Sequence, residues 1–173
     1  MDPFSSLTRA LSERQVRYVV IGVWGATHYA QDAGAIFRTE DRDFFLPPDP
    51  DNLVACWAGC ADAGLALWSE REPLDQPRDR WLAERVVERR ALTTAISQDT
   101  RVDLTLVMKG YDFDAVWNER RVFRVEGVDI PVARLLHIVT SKQAAGRDKD
   151  RLFLATHREA LEELLRREAK EQR

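Results

Sequence analysis

The chain is short of the residues that mark most special classes of protein. It has two cysteines among 173 residues, too few for a disulfide scaffold. Eight glycines and seven prolines exclude a collagen-like repeat or a low-complexity polymer. No stretch approaches the roughly 20 uncharged apolar residues that span a bilayer, so no membrane partner is expected. Neither sign of charge dominates: 26 Lys and Arg face 29 Asp and Glu, giving −3 and a pI near 5.7. No global field therefore draws the chain onto a phosphate backbone, although a local basic strip stays open. The first residues, Met1-Asp2-Pro3-Phe4-Ser5-Ser6, lack a basic n-region and an apolar h-region, and the expectation is a cytoplasmic protein.

What is present is ample material for a core, with 45% hydrophobic residues beside 32% charged ones. The length predicts one domain over residues 1–173, with a core at about 10–110 and a hairpin and helices at about 111–173. Asp2-Pro3 opens a helix carried by Phe4, Leu7, Ala10 and Leu11. The β-branched run 17–22 reads as a buried strand stopped by Gly22, followed by a helix at about 24–29 and a loop over 31–38. A strand over 41–46 ends at Pro47-Pro48, and Asp49-Pro50 caps a helix that stops at Gly64. A strand at 65–68 and a poorly ordered stretch at 69–80 follow; residues 81–90 fit helix and strand equally. Residues 91–97 and 101–107 predict an antiparallel hairpin, 111–119 a short helix, and 121–125 with 128–131 a second hairpin turning at Glu126-Gly127. Helical spacing then covers 132–141, and one further helix carries Leu152, Phe153, Leu161, Leu164 and Leu165 into a charged tail. The fold class expected is α/β (α+β), a mixed sheet flanked by helices. Cys56 and Cys60, four apart, read as buried thiols, since no nearby His or Cys completes a zinc site.

The chemistry concentrates on three carboxylates. Asp41 and Asp43 are one residue apart at a strand start, so strand alternation projects both from one face. Two like charges at the mouth of the apolar run Phe44-Phe45-Leu46 repel unless a cation lies between them. Asp103 is the lone carboxylate on the polar side of a strand whose other side is Val102, Leu104 and Leu106, and sheet formation can bring it beside the pair. Such a hard-oxygen set suits Mg²⁺ or Mn²⁺, the ions that align a nucleoside triphosphate. Taken alone, the Asp-x-Asp pair describes a solvated strand edge equally well. The upstream turn Gly22-Val23-Trp24-Gly25 shifts the balance, because backbone N–H groups at a strand-to-helix turn face phosphate readily. A metal-dependent glycosyltransferase, which also uses Asp-x-Asp, is disfavoured by a length that leaves no room for two substrate domains.

These pieces resemble, in content and order, the polymerase-beta-like nucleotidyltransferase superfamily, in particular its small prokaryotic members related to abortive-infection toxin nucleotidyltransferases. The family pattern is a strand ending in a glycine turn, a Thr-x-Asp-x-Asp element, and a third Asp on a later strand. Its counterparts here are residues 17–22, Thr39-Glu40-Asp41-Arg42-Asp43 and Arg101-Val102-Asp103-Leu104. Residues 139–150, containing Lys142, Arg147, Lys149 and Asp150, are similar to the family's Lys-containing helix and Arg-x-Lys-Asp helix start.

The resemblance implies a nucleotidyltransferase-like fold with C-terminal helices, and transfer of a nucleoside monophosphate from a triphosphate to an acceptor hydroxyl on a small molecule, a tRNA or a protein. It implies that Asp41, Asp43 and Asp103 are catalytic and bind Mg²⁺ or Mn²⁺. Gly22, Val23, Trp24, Gly25 and Thr39 then hold the triphosphate, with Lys142, Arg147 and Lys149 as phosphate contacts or, equally, partners of Asp148 and Asp150. Val23 stands where the family carries a second Gly or a Ser, so the alternative is an inert nucleotidyltransferase-like module acting by nucleotide or protein binding, as in a toxin–antitoxin pair. Arg42, between the acids, is expected to reach water at a strand edge. Trp24 reads equally as a base-stacking or a core residue, and His28 as a helix-end residue near the cleft.

Overall fold

The computed structural model describes residues 2–31 and 35–172. Asp2 takes the N-cap position and Pro3 the first turn of α1 (Pro3–Glu13), which buries Phe4, Leu7 and Leu11. β1 (Val19–Ile21) is buried throughout and runs directly into α2 (Gly22–Ala30). Part of the loop expected over 31–38 lies outside the described residues, and β2 (Arg42–Phe45) follows. The Asp49 carboxylate caps α3 (Pro50–Asp62) by accepting from Asp51 N and Asn52 N, and Gly64 just past the helix takes the left-handed φ of +82°. Asn52 also tethers the approach to β1, accepting from Arg17 N at 2.8 Å and donating to Arg17 O at 3.0 Å.

β3 (Ala66–Ser69) pairs with the two-residue β4 (Glu72–Pro73), so the stretch expected to be least ordered forms the sheet's outermost turn. The ambiguous segment is helix α4 (Arg80–Arg89), started by the Asp79 carboxylate on Leu82 N. β5 (Thr93–Ile96) and β6 (Arg101–Thr105) form the expected antiparallel hairpin. After α5 (Phe113–Asn118), β7 (Arg121–Val125) and β8 (Val128–Val132) form the second one.

Two expectations near the C-terminus need correction. Val132 belongs to β8, because it pairs in parallel with Val20 of β1; the helix α6 (Leu135–Ala145) starts later and ends at Gly146, φ +60°. The single last helix is two, α7 (Asp148–Thr156) and α8 (Arg158–Glu171), broken at His157, whose ring packs against Phe37 and Phe153.

The eight strands form one mixed sheet in the order β4-β3-β5-β6-β2-β1-β8-β7. Its two faces can be told apart by their partners. Phe44 meets Phe4 of α1, and Thr93 accepts a hydrogen bond from Trp57 Nε1 of α3, so α1 and α3 cover one face. Phe45, pointing the other way by strand alternation, meets Phe113 of α5. Thr94 likewise turns from α3 towards Asp103. This second face, walled by α6, carries the site. Cys56 and Cys60 are both fully buried as free thiols in α3.

Candidate active site

β2 and β6 run parallel with Asp43 opposite Asp103, Phe44 opposite Leu104 and Phe45 opposite Thr105. Neighbouring strands stand about 4.8 Å apart, so the two carboxylates emerge side by side from one face. Asp41 lies just before β2, exposed, its backbone N–H held by Thr39 Oγ1 at 3.0 Å. All three aspartates line one cleft of about 800 Å³. Its floor includes Ile21 and Gly22 at the β1 end, and its wall includes Ile138, Ser141 and Lys142 of α6, with Arg147 and Lys149 beyond.

Gly22 is at this position for a reason of space as well as backbone conformation. Its φ is +71°, and a Cβ there would stand 2.9 Å from Asp43 Oδ2. The missing side chain leaves the Asp43 carboxylate against the turn that opens α2. Of the predicted phosphate-turn residues, Gly22 alone lines the cleft. Val23 is half-buried against the core. Trp24 turns to the opposite side, edge-on to Phe4 and beneath Arg42, whose guanidinium carbon is 4.3 Å from the Trp24 ring centroid. Arg42 therefore does not sit at a strand edge reaching water: β2 is an interior strand, and the side chain stacks on aromatic rings. Gly25 is a packing glycine, since a Cβ would stand 2.9 Å from Ile138 Cδ1 and 3.0 Å from Val20 O. Thr39 orders Asp41 without lining the cleft. His28 is buried with Nδ1 at 3.0 Å from Trp24 O and lines a small pocket with Tyr29, Arg121 and Phe123, away from the acids.

The electrostatics of the acids are unbalanced. Burial first, and then the charges of Asp103 and Asp41, raise the Asp43 carboxyl to about 6 against the opposing charges of Lys142 and Lys149. Its carboxylate has no hydrogen-bond donor among the described residues. Asp103 accepts from Thr94 Oγ1 at 3.1 Å and meets Arg101 at 3.5 Å, both through Oδ1. Among the described residues no three His, Cys, Asp or Glu side chains converge at metal-ligating spacing. The donor set nevertheless fits a hard divalent cation by its chemistry: an undonated, destabilised carboxylate flanked by two more.

Across the cleft, Asp150 is fully buried and holds Lys142 Nζ at 3.3 Å and Arg147 Nε at 2.7 Å. Burial alone would raise its pKa, but Arg147 and Lys142 outweigh it and keep the group below the usual carboxylate range. Lys149 is exposed. Sequence reasoning passed over Thr94, Arg101 and Lys109, all beside or in the cleft. Thr94 was accessible from the hairpin, whose register sets it opposite Asp103. Arg101 was accessible from strand alternation, two residues from Asp103.

No protein-family profile and no curated protein matches the chain. Solved structures do. A candidate nucleotidyltransferase from Thermotoga maritima superposes with a TM-score of 0.53 at 13% identity, covering 88% of each chain. The structure of ANT(2'')-Ia in complex with adenylyl-2''-tobramycin superposes with a TM-score of 0.52 at 14% identity, covering 98% of this chain and 97% of that one. At such identities the likeness is one of fold. The architecture is nucleotidyltransferase-like: a mixed eight-stranded sheet flanked by helices.

Proposed function

We propose that the protein is a metal-dependent nucleotidyltransferase that moves a nucleoside monophosphate from a nucleoside triphosphate to an acceptor hydroxyl. The observation that carries this reading is the register of Asp43 against Asp103, with Asp41 at the mouth of the same cleft and a basic wall opposite. Asp41, Asp43 and Asp103 hold Mg²⁺ or Mn²⁺. That ion, when bound, neutralises charge on the triphosphate during an in-line displacement. The chain's own groups do the rest. Gly22 brings the N-terminal end of α2 to the phosphates, where the free N–H groups and helix dipole favour an anion. Lys142, Arg147 and Lys149 balance the charge of the departing pyrophosphate. Asp103, tethered by Thr94, is placed to take the proton of the attacking hydroxyl. The acceptor oxygen bonds to the α-phosphorus as the bond between the α-phosphorus and the bridging oxygen breaks. A triphosphate substrate suits a cytoplasmic setting.

A second reading, an inert nucleotidyltransferase-like module that pairs with a nucleotide or a protein as in a toxin–antitoxin system, is supported by Val23. Its branched side chain brings neither a hydroxyl nor a glycine's freedom to the turn.

The test is transfer of α-³²P label from each of the four ribonucleoside triphosphates, with Mg²⁺ or Mn²⁺, into a cell extract split into small-molecule, RNA and protein fractions. Label in one fraction that disappears with the Asp41→Asn/Asp43→Asn variant is the expected result, and it names the acceptor class. No label in any fraction from folded protein contradicts transfer, and nucleotide binding without turnover then favours the inert module.

A further inference from the structure

Lys142 lies on α6 and Arg147 is the N-cap residue of α7, with the left-handed Gly146 at the end of α6 between them. One buried carboxylate joins them. Asp150 is 0% exposed and receives Lys142 Nζ at Oδ1, 3.3 Å. It takes Arg147 Nε at Oδ2, 2.7 Å, and Arg147 Nη2 at Oδ1, 3.3 Å. The backbone N–H of Arg147 also donates to Oδ2 at 3.3 Å, which fixes the first turn of α7. Lys142 is further confined by the Phe153 ring, 5.3 Å from Nζ. A lone carboxylate buried to this degree is costly, and it is retained only because both cations satisfy it.

The two cations are not used up by this contact. An ammonium has three N–H donors and a guanidinium five in a fixed fork, so both keep donors free after serving Asp150. Both residues line the cleft of the aspartates.

We infer that Asp150 is a positioning residue, which clamps Lys142 and Arg147 together so that their remaining donors face the phosphates of the substrate opposite Asp43. The inference rests on the proposed nucleotidyl transfer, because it needs a triphosphate in this cleft. Without Asp150 the two side chains are long, flexible and mutually repelling, and the wall loses its fixed geometry.

The experiment is calorimetric titration of the full chain with inorganic tripolyphosphate and Mg²⁺, a probe without a base or an acceptor. The proteins are wild type, Asp150→Asn, Lys142→Met and the double variant, each checked for folding by near-UV circular dichroism. The expected result is a tenfold or greater loss of affinity in each single variant, and a double variant no more than about threefold weaker than the weaker single one. In turnover, Asp150→Asn raises KM for the triphosphate more than it lowers kcat. Unchanged affinity in folded Asp150→Asn overturns the inference, as do strictly additive losses, since Asp150 would then not act through Lys142. If Asp150→Asn fails to fold, Asp150→Glu replaces it: the charge is kept but moved by one methylene, and unchanged affinity again overturns the clamp. The parent reading is judged separately, on wild type against Asp41→Asn/Asp43→Asn. Binding lost there but not in Asp150→Asn removes the clamp alone, and no binding by wild type removes both.

Discussion

Asp43 of β2 and Asp103 of β6 occupy the same register of two parallel strands, so their carboxylates leave the sheet side by side. A protein selected only for stability has no reason to place two acids at adjacent positions over a half-buried cleft, since burial and the charge of Asp103 raise the cost of ionising Asp43. The pair is a local liability of the fold, and it gives the site measurable signatures.

The first signature is in stability against pH. The folded-state pKa of Asp43, about 6, lies above its ordinary value of 3.8, so the fold favours the protonated acid. The associated stability is fully present below about pH 4 and is lost as pH rises through about 6, to a total of about 3 kcal/mol. In EDTA, Asp43→Asn is expected to be more stable than wild type by about 1–3 kcal/mol at pH 8 and nearly equal to it at pH 4. Urea denaturation at the two values checks this; a variant no more stable than wild type at pH 8 contradicts it.

Gly22 is the second signature. Alanine there must adopt a φ of +71° and bring its Cβ to 2.9 Å from Asp43 Oδ2. The expected cost is about 1–2 kcal/mol of stability from the backbone. Displacement of Asp43 is expected to reduce label transfer at least tenfold. The added strain disappears if Asp43→Ala is combined with it, leaving only the backbone cost; a Gly22→Ala protein with full activity contradicts the close approach.

The wall of the cleft depends on a contact far from the acids. Glu168 of α8, 5% exposed, caps α6 from outside, accepting from Leu135 N at 2.8 Å and Leu136 N at 3.1 Å and meeting Arg134 Nε at 3.2 Å. Glu168→Gln turns one acceptor into a donor facing an N–H, at an expected cost of about 1–3 kcal/mol. Thermal unfolding reads the change, and an unaltered midpoint contradicts the capping role.

Much of this was legible in the chain itself. Asp49 and Gly64 bounded α3, the β-branched run before Gly22 marked β1, and the alternation of Val102, Asp103 and Leu104 marked β6 with its acid on the polar side. These are local signals with short-range causes. The parallel pairing of β2 with β6 was not legible, because a register joining residues about 60 apart is set by the closing of the whole sheet. The break at His157 was missed because apolar spacing continues across it, while packing on Phe37 and Phe153 decides the bend. Arg42 was misplaced because no local rule says that β2 is interior or that Phe4 and Trp24 will lie over it. Gly25 looked like part of a phosphate turn, yet the approach of Ile138 from α6 is what requires it.

The central claim is that Asp41, Asp43 and Asp103 together make a divalent-metal site serving a triphosphate. Its most direct test is Mn²⁺ binding followed by electron paramagnetic resonance at pH 7.5, with and without a nucleoside triphosphate, for wild type, Asp43→Asn and Asp103→Asn. The account predicts that wild type removes Mn²⁺ from the free signal, more tightly when the triphosphate is present, and that either substitution weakens this at least tenfold. Equal binding by all three proteins, or no difference from buffer with triphosphate alone, would contradict it.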